Sequence, residues 1–262
     1  MTETKSNAVA KKPEAGLPAN IFEEDASLTQ AGLTQDDLAT PRLKILMNGS
    51  DELDANDALK PGQIFNTVTG EAFDGKEGIV VIPCGYERQY VEWEERETGS
   101  GAPVNIFKAD SDILTKTTRN SKNKDMLENG NYIETNANYF VILYNKETGI
   151  GTPALITMKS TQLKKSRRWN STMLNLRIQG SKGSFNPPWF SHTYKLTVVK
   201  EKNNQGSWFG WNIELEGPVT DQQAYNDAKD FAQSVKAGTV QAKPEMDQAT
   251  TSNTDGNTPF YF

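Results

Sequence analysis

The part of the sequence best suited to binding chemistry is the segment from Met158 to Lys200. It contains nine Lys and Arg residues and no Asp or Glu. The cations of this segment are Lys159, Lys164, Lys165, Arg167, Arg168, Arg177, Lys182, Lys195 and Lys200. The aromatic residues among them are Trp169, Phe185, Trp189, Phe190 and Tyr194. Because cations follow a phosphate backbone and flat rings stack on unpaired bases, this pattern is typical of single-stranded nucleic-acid binding.

The charge of the rest of the chain strengthens this interpretation. The 262 residues carry a net charge of -6, so the chain outside this segment is strongly acidic. A solvated helix face is the alternative explanation, but such faces usually mix both signs of charge. A second, smaller positive stretch runs from Thr115 to Lys124 and contains Lys116, Arg119 and Lys122 on a predicted loop. We expect both stretches to contact nucleic acid.

Several of the aromatic side chains are assigned from their neighbours. Trp169 follows Arg167 and Arg168, so its ring is expected outside the core as a platform for a base. Phe185 and Trp189 flank a Pro-Pro pair and are expected in an exposed loop. Large aromatic residues usually fill cores, so Trp208 and Trp211 are expected in the core, and the core is the competing position for Trp189.

Several other functions are excluded by composition. The chain has one cysteine, Cys84, and one histidine, His192, which leaves no internal disulfide, multi-cysteine zinc site or histidine-based triad. No apolar run approaches the roughly 20 residues of a membrane span, and the first residues lack an apolar signal core. Acids such as Asp51, Glu52 and Asp54 share one polar loop without metal-ligand spacing. We therefore expect a non-catalytic protein without a cofactor, a metal or a membrane partner.

The order of predicted elements indicates a mainly β domain with a few helices. Strands are predicted at Ile64–Thr69, Gly78–Pro83, Tyr86–Glu95, Asn138–Asn145, Thr152–Met158, His192–Lys200 and Ser207–Glu216, with a tight hairpin turn at Asp74-Gly75. A helix is predicted from Thr161 to about Gln179, with Ser160 as its cap and Leu163, Met173, Leu174 and Ile178 as its apolar stripe. A second helix is predicted from Thr220 or Asp221 to Lys236.

A helix between two strand pairs is the arrangement of an oligonucleotide-binding barrel. The predicted fold is therefore a barrel core of this type, with a β-sandwich as the alternative. Residues 1–20 are predicted to be a disordered arm, residues 21–238 a single domain, and residues 239–262 a disordered acidic tail.

Six segments of the chain resemble single-stranded-DNA-binding proteins of tailed bacteriophages. They are PRLKIL (from Pro41), GQIFNTVTGE (from Gly62), VIPCGYERQYVEW (from Val81), MKSTQLKKSRRWN (from Met158), FSHTYKL (from Phe190) and WFGWNIEL (from Trp208). The resemblance spans about Pro41 to Phe231 and implies a role in phage DNA replication and recombination, in the cytoplasm of the infected bacterium. It also implies an oligonucleotide-binding barrel. Zinc-binding versions are excluded, because the cysteine and histidine ligands are missing.

The end of the sequence also fits this resemblance. Acidic tails that finish in Phe recruit replication partners in bacterial and phage single-strand-binding proteins. Here Asp255 precedes the group Pro259, Phe260, Tyr261 and Phe262. The implied partner is the phage DNA polymerase or helicase-primase, and docking on the protein's own barrel is the alternative. Two other functions stay open for the whole chain, a strand-annealing recombination protein and a virion or scaffold protein that contacts nucleic acid.

Overall fold

A computed structural model describes residues 39–95, 101–203 and 206–244. The chain divides into two compact units, Met1–Ala39 and Thr40–Phe262, and of the first unit only Ala39 is described. The predicted arm and the predicted start of the domain at residue 21 therefore lie outside the described residues. In the described part, no helix is long and apolar enough to span a bilayer.

The second unit is mainly β, as predicted. Its strands, in chain order, are β1 (Leu43–Ile45), β2 (Ile64–Asn66), β3 (Ala72–Phe73), β4 (Ile79–Trp93), β5 (Asn105–Lys108), β6 (Thr118–Arg119), β7 (Asp125–Met126), β8 (Tyr132–Tyr144), β9 (Gly151–Lys159), β10 (Ile178–Gly180), β11 (Gly183–Phe185), β12 (His192–Asn203) and β13 (Gly206–Pro218). Its α-helices are α1 (Asp51–Ala55), α2 (Leu163–Asn175) and α3 (Gln222–Lys236).

The main sheet has eight strands, and its five long antiparallel strands run in the order β13-β12-β4-β8-β9. The short strands β5, β6 and β7 extend it beside the ends of β4 and β8. The sheet curls into half a barrel. Strand twist contributes to this curl, and a bulge between Pro83 and Gly85 bends the central strand β4. The bulge leaves Cys84 out of the ladder with β8, directly after Pro83, and bulges are among the few places in a sheet where proline occurs. The two strands predicted at Gly78–Pro83 and Tyr86–Glu95 are thus one bent strand.

Both faces of the central strands β4 and β8 are covered by protein. On the inner face, Tyr139, Val141 and Tyr194 pack under α2 in the main core. On the outer face, Ile82 and Cys84 pack under Ala224 and Ala228 of α3. This double burial explains why β4 and β8 contain continuous apolar runs instead of strict alternation.

A small sheet of β1, β2 and β3 lies next to β9. Its residues Leu43 and Ile64 belong to the main core, and Arg42 forms a parallel bridge with Leu155. The backbone N–H of Leu155 donates to the carbonyl of Pro41 at 2.8 Å. The small sheet therefore extends the edge of the half-barrel at β9.

The hairpin turn predicted at Asp74-Gly75 is wrong, because β3 and β4 do not pair; β3 pairs with β2 instead. Asp74 accepts hydrogen bonds from the backbone N–H groups of Lys76 and Glu77. The carbonyl of Gly75 accepts from Val198 of β12 at 2.6 Å. The turn residues thus close a loop that is tied to a distant strand, which local turn chemistry does not reveal.

Helix α2 differs from its prediction at both ends. Ser160 does not cap it: its φ is +51°, and α2 begins at Leu163 with no side-chain cap and with cations in its first turn. The helix ends at Asn175, because the Asn186 amide donates to the carbonyls of Met173 and Leu176. The residues predicted as its last turn form the β10–β11 hairpin.

The buried stripe of α2 is rotated relative to the prediction. Ser166, Trp169 and Met173 are buried, whereas Leu174 is 56% exposed. Trp169 is only 2% exposed. Its ring stacks on Tyr139 at a centroid distance of 4.3 Å and meets Tyr194 edge-on at 5.6 Å. The predicted position of Trp169 outside the core is therefore wrong, and its ring is not available to a base.

The packed part of the chain continues past Gly238. Ala242 is buried against Phe140 and Leu155, and its carbonyl accepts a 2.9 Å hydrogen bond from Gln89. The Arg42 guanidinium donates to the carbonyl of Lys243. The first residues of the predicted tail thus belong to the outer layer of the fold.

Replacing Trp169 by alanine is expected to lower the free energy of unfolding by about 3–5 kcal/mol, because the change removes a buried ring and leaves a cavity. Urea denaturation measures the loss. Leu174→Ala on the same helix is the control and should cost about 0.5 kcal/mol or less, since its side chain is largely exposed. Equal unfolding midpoints for the two variants would contradict the assigned packing.

Candidate nucleic-acid interface

The outward side of α2 carries three exposed cations, Lys164, Arg167 and Arg168. Their spacing of three and four residues places them on one side of the helix. Within the described part of the chain, none of the three forms an ion pair, and α2 contains no acid. We call this side, with Ser171 and Asn175, the basic face of α2.

Packing beneath α2 determines which way this face points. The Tyr139 hydroxyl lies 2.9 Å from the carbonyl of Ser166 and 2.7 Å from its Oγ. It also donates to Asn170 Oδ1 at 2.9 Å. Burial raises the pKa of the Tyr139 hydroxyl, so it remains a proton donor. Together with the buried Trp169 ring, these bonds hold the helix in one rotation and direct its cations outward.

Two further cations of the segment are neutralised by acids. Lys165 lies 3.0 Å from Glu201 of β12, and Lys159 lies 2.9 Å from Glu134 of β8. The indole N–H of Trp208 donates to the other oxygen of Glu201 at 2.9 Å. Gly210 lies against this cluster. A side chain at this position would crowd the ion pair, because its Cβ would lie 2.6 Å from Lys165 Nζ. Lys159 and Lys165 were predicted as free contacts, but the structure uses them as cross-links.

The positive surface continues from α2 to the β10–β11 hairpin. Arg177 and Lys182 are exposed there, although Arg177 donates from Nη1 to the carbonyls of Leu174 and Leu176. Phe185 is exposed, as predicted. Trp189 was also predicted to be exposed, but its half-buried ring packs against the main core. Of the three aromatic residues predicted to contact nucleic acid, Trp169, Phe185 and Trp189, Phe185 is thus the exposed one.

The second predicted patch is largely neutralised. Lys116 lies 3.3 Å from Asp112, and Arg119 makes two 2.9 Å hydrogen bonds to Asp125. Lys124 pairs with Glu95 at 3.2 Å. Lys122 is exposed and, among the described residues, forms no ion pair. Lys116, Arg119 and Lys122 therefore form a mixed-charge surface instead of a second basic one.

A groove of about 450 Å³ lies between α2 and the β12–β13 hairpin. Lys165 and Arg168 line it on the helix side, and Val199, Asn212, Glu214 and Leu215 line it on the hairpin side. The sequence did not identify the hairpin residues as part of a site. The detectable signal was Val199, an apolar residue out of phase with the core-facing Leu196 and Val198 of β12.

Among the described residues, no cluster of His, Cys, Asp and Glu could hold a metal ion. Cys84 is buried, and burial raises the pKa of its thiol to about 12, which leaves it protonated and unreactive. Burial also lowers the pKa of His192. The predicted partner-binding residues, Asp255 and Pro259–Phe262, lie outside the described part of the chain.

One buried carboxylate was missed by the sequence analysis. Glu92, at the end of β4, accepts hydrogen bonds from the side-chain amides of Asn105 at 2.7 Å, Asn129 at 3.2 Å and Asn131 at 2.6 Å. These bonds tie the connection between β4 and β8 to the sheet. Burial raises the pKa of Glu92, but the three amide donors outweigh burial and lower it below its ordinary value.

The described residues form a mainly β fold whose helix α2 carries a cationic face. A family model described as Pam3 phage gp34-like protein matches residues 11–241. The chain therefore belongs to this family, which indicates a bacteriophage protein and agrees with the phage origin in the predicted resemblance. No curated protein and no solved structure matches the chain.

The lowered pKa of Glu92 predicts a pH-dependent contribution to stability. A carboxylate with a lowered folded pKa stabilises the fold above its unfolded pKa, and this contribution is lost as the pH falls through the folded value. Glu92→Gln should therefore lower the free energy of unfolding at pH 7, and its difference from wild type should shrink below about pH 4. Urea denaturation across this range measures it. Glu128→Gln, an exposed carboxylate of the same connection, is the control. A pH-independent difference would contradict the assignment.

Proposed function

We propose that this phage protein binds single-stranded DNA, without catalysis and with little sequence preference, during phage DNA replication and recombination. The observation that carries the proposal is the basic face of α2. Its cations Lys164, Arg167 and Arg168 are exposed and free of ion pairs among the described residues. Unpaired cations on a helix without acids suit a phosphate backbone, because each one displaces condensed counterions when it meets a phosphate.

The distribution of charge favours a polyanion over an ordinary solvated surface. The protein has a net charge of -6. Of the cations near this region, Lys159 and Lys165 are paired with Glu134 and Glu201, whereas Arg177 and Lys182 extend the exposed positive surface. An acidic protein that gathers unpaired cations on such a surface is expected to steer a nucleic acid to it.

The fold also supports the proposal through its topology. Five strands in the order β13-β12-β4-β8-β9, with α2 between β9 and β12, match the strands and helix expected of an oligonucleotide-binding barrel. One curled sheet also fits such a barrel better than a two-sheet sandwich. We therefore interpret the half-barrel as an open member of this architecture, with β1 beside the free edge at β9.

The ligand path on this barrel differs from the usual one. Oligonucleotide-binding barrels carry their ligand on the face of their second and third strands, which correspond to β8 and β9 here. The outer side of these strands contributes Phe140 and Leu155, and both are covered by α3 and Ala242. Because that face is occupied by the protein itself, the basic face of α2 is the better candidate for the DNA path.

The three cations of α2 should account for part of the salt dependence of binding. Each phosphate contact on a single strand contributes about -0.7 to the slope of log affinity against log salt. The variant K164Q/R167Q/R168Q should therefore bind every sequence more weakly, with a slope shallower by up to about 2. Fluorescence anisotropy with labelled oligonucleotides at several salt concentrations measures both.

The matched control removes three exposed cations elsewhere, Lys108, Lys229 and Lys236. This control variant should retain most of the affinity and slope. A wild-type slope in K164Q/R167Q/R168Q would exclude α2 from the DNA path. Accelerated pairing of complementary strands by the wild type would favour the annealing function. Absence of single-strand affinity in the wild type would favour the virion or scaffold function.

We also propose that Asp255 and Pro259–Phe262 bind a phage replication protein, the DNA polymerase or the helicase-primase. Aromatic rings next to acids suit an apolar pocket with a basic rim. The same acids would compete with DNA for the basic face.

Deletion of residues 255–262 should therefore leave the affinity for single-stranded DNA equal or higher and abolish capture of the partner. Anisotropy and co-purification with each candidate measure the two effects. Reduced DNA affinity would instead assign these residues to the DNA site or to the fold.

A further inference from the structure

The groove between α2 and the β12–β13 hairpin is not needed for the proposed backbone contacts. We infer that it receives an unpaired nucleobase that carries an exocyclic amino group. The inference depends on the proposed function, because the base would belong to a strand whose phosphates lie on the basic face of α2.

The size and walls of the groove suit a base. Its volume of about 450 Å³ lies within the range of small-molecule sites. On the hairpin side, Val199 is 39% exposed and Leu215 is 42% exposed. They lie on opposite faces of the hairpin and five residue pairs apart, so each offers apolar surface to a different part of the groove. Trp169 also lines the groove, and its buried indole N–H has no hydrogen-bond partner among the described residues.

Arg168 connects the groove to the DNA path. Its side chain is exposed on the basic face of α2 and also lines the groove. A phosphate bound to this guanidinium would leave its own nucleotide at the groove entrance. The backbone contact and the base contact thus use neighbouring surfaces, as in other single-strand sites that combine a charged track with base contacts.

The carboxylates of the groove determine which bases it favours. Glu201 is occupied on both oxygens, by Lys165 and by Trp208. Glu214 is different: Oε1 accepts from the Asn212 amide at 2.9 Å, and Oε2 has no partner among the described residues. A free carboxylate repels a phosphate, but it accepts a hydrogen bond from the amino group of cytosine. Glu214 therefore favours a base with an amino group over one with a keto group at the same position.

Oligo(dC) and oligo(dU) of equal length test this preference directly. Their bases have similar size and differ at C4, where cytosine has an amino group and uracil has an oxygen. Wild-type protein should bind oligo(dC) about three- to tenfold more tightly, the effect of one additional hydrogen bond. Glu214→Gln should bring the two affinities together or reverse their order, because the glutamine amide can donate to the uracil oxygen. Anisotropy titrations near pH 8 measure the ratio.

A steric variant tests the groove independently of its hydrogen bonds. Val199→Trp should fill the groove and reduce affinity for both oligonucleotides while abolishing the preference. Val104→Trp is the matched control, because Val104 is a similarly exposed valine, at 44%, outside the groove. It should bind like the wild type.

The outcomes separate this inference from the proposed function. If the wild type binds neither oligonucleotide, the proposed function fails and the inference fails with it. If the wild type binds both equally, or if Val199→Trp binds like Val104→Trp, the inference is wrong while single-strand binding stands. Urea denaturation of each variant checks that the fold is intact.

Discussion

The packing of Trp169 between Tyr139 and Tyr194 is the contact on which the rest of the structure depends. It joins α2 to β8 and β12, at centroid distances of 4.3 and 5.6 Å. Stacked and edge-on aromatic pairs are directional, so they fix orientation as well as burying apolar area. Because the ring and the Tyr139 hydroxyl hold α2 in one rotation, the cations of this helix face solvent together. The same contact thus organises the inner core and the candidate interface.

Coverage of the sheet imposes a second constraint. The inner side of the half-barrel is filled by α2 and the outer side by α3 and the residues up to Ala242. With both faces of β4 and β8 buried, a large ligand has access to the helices that cover them, to the sheet edges and to the exposed part of the β12–β13 hairpin. The proposed function in this family of phage proteins therefore uses a helix face in place of a strand face.

Regular elements were predictable from the sequence, whereas long-range contacts were not. The long strands and α3 follow from apolar runs and from Asp221, whose side chain caps α3 as expected. The position of Trp169 was missed because Arg167 and Arg168 next to it suggested a polar side, although a helix turns by about 100° per residue. The end of α2 depends on hydrogen bonds from Asn186, and the charge of Lys165 is neutralised by Glu201. Both partners lie outside the helix, so the helix sequence does not reveal these contacts. The exposure of Lys164, Arg167 and Arg168 was predictable, because it follows from the helix alone and needs no contact with a distant residue.

The first turn of α2 has a consequence for how the protein can vary. It begins with Lys164 and Lys165 and has neither an acid nor a side-chain cap, although the positive end of the helix dipole favours acids there. The helix is thus poorly stabilised by its own residues and depends on its packing. Substitutions that would strengthen it, such as acids in this turn, would also repel a phosphate backbone. Under the proposed function, helix stability and DNA affinity therefore place opposite demands on the same positions, so stability can be gained more freely in the core beneath.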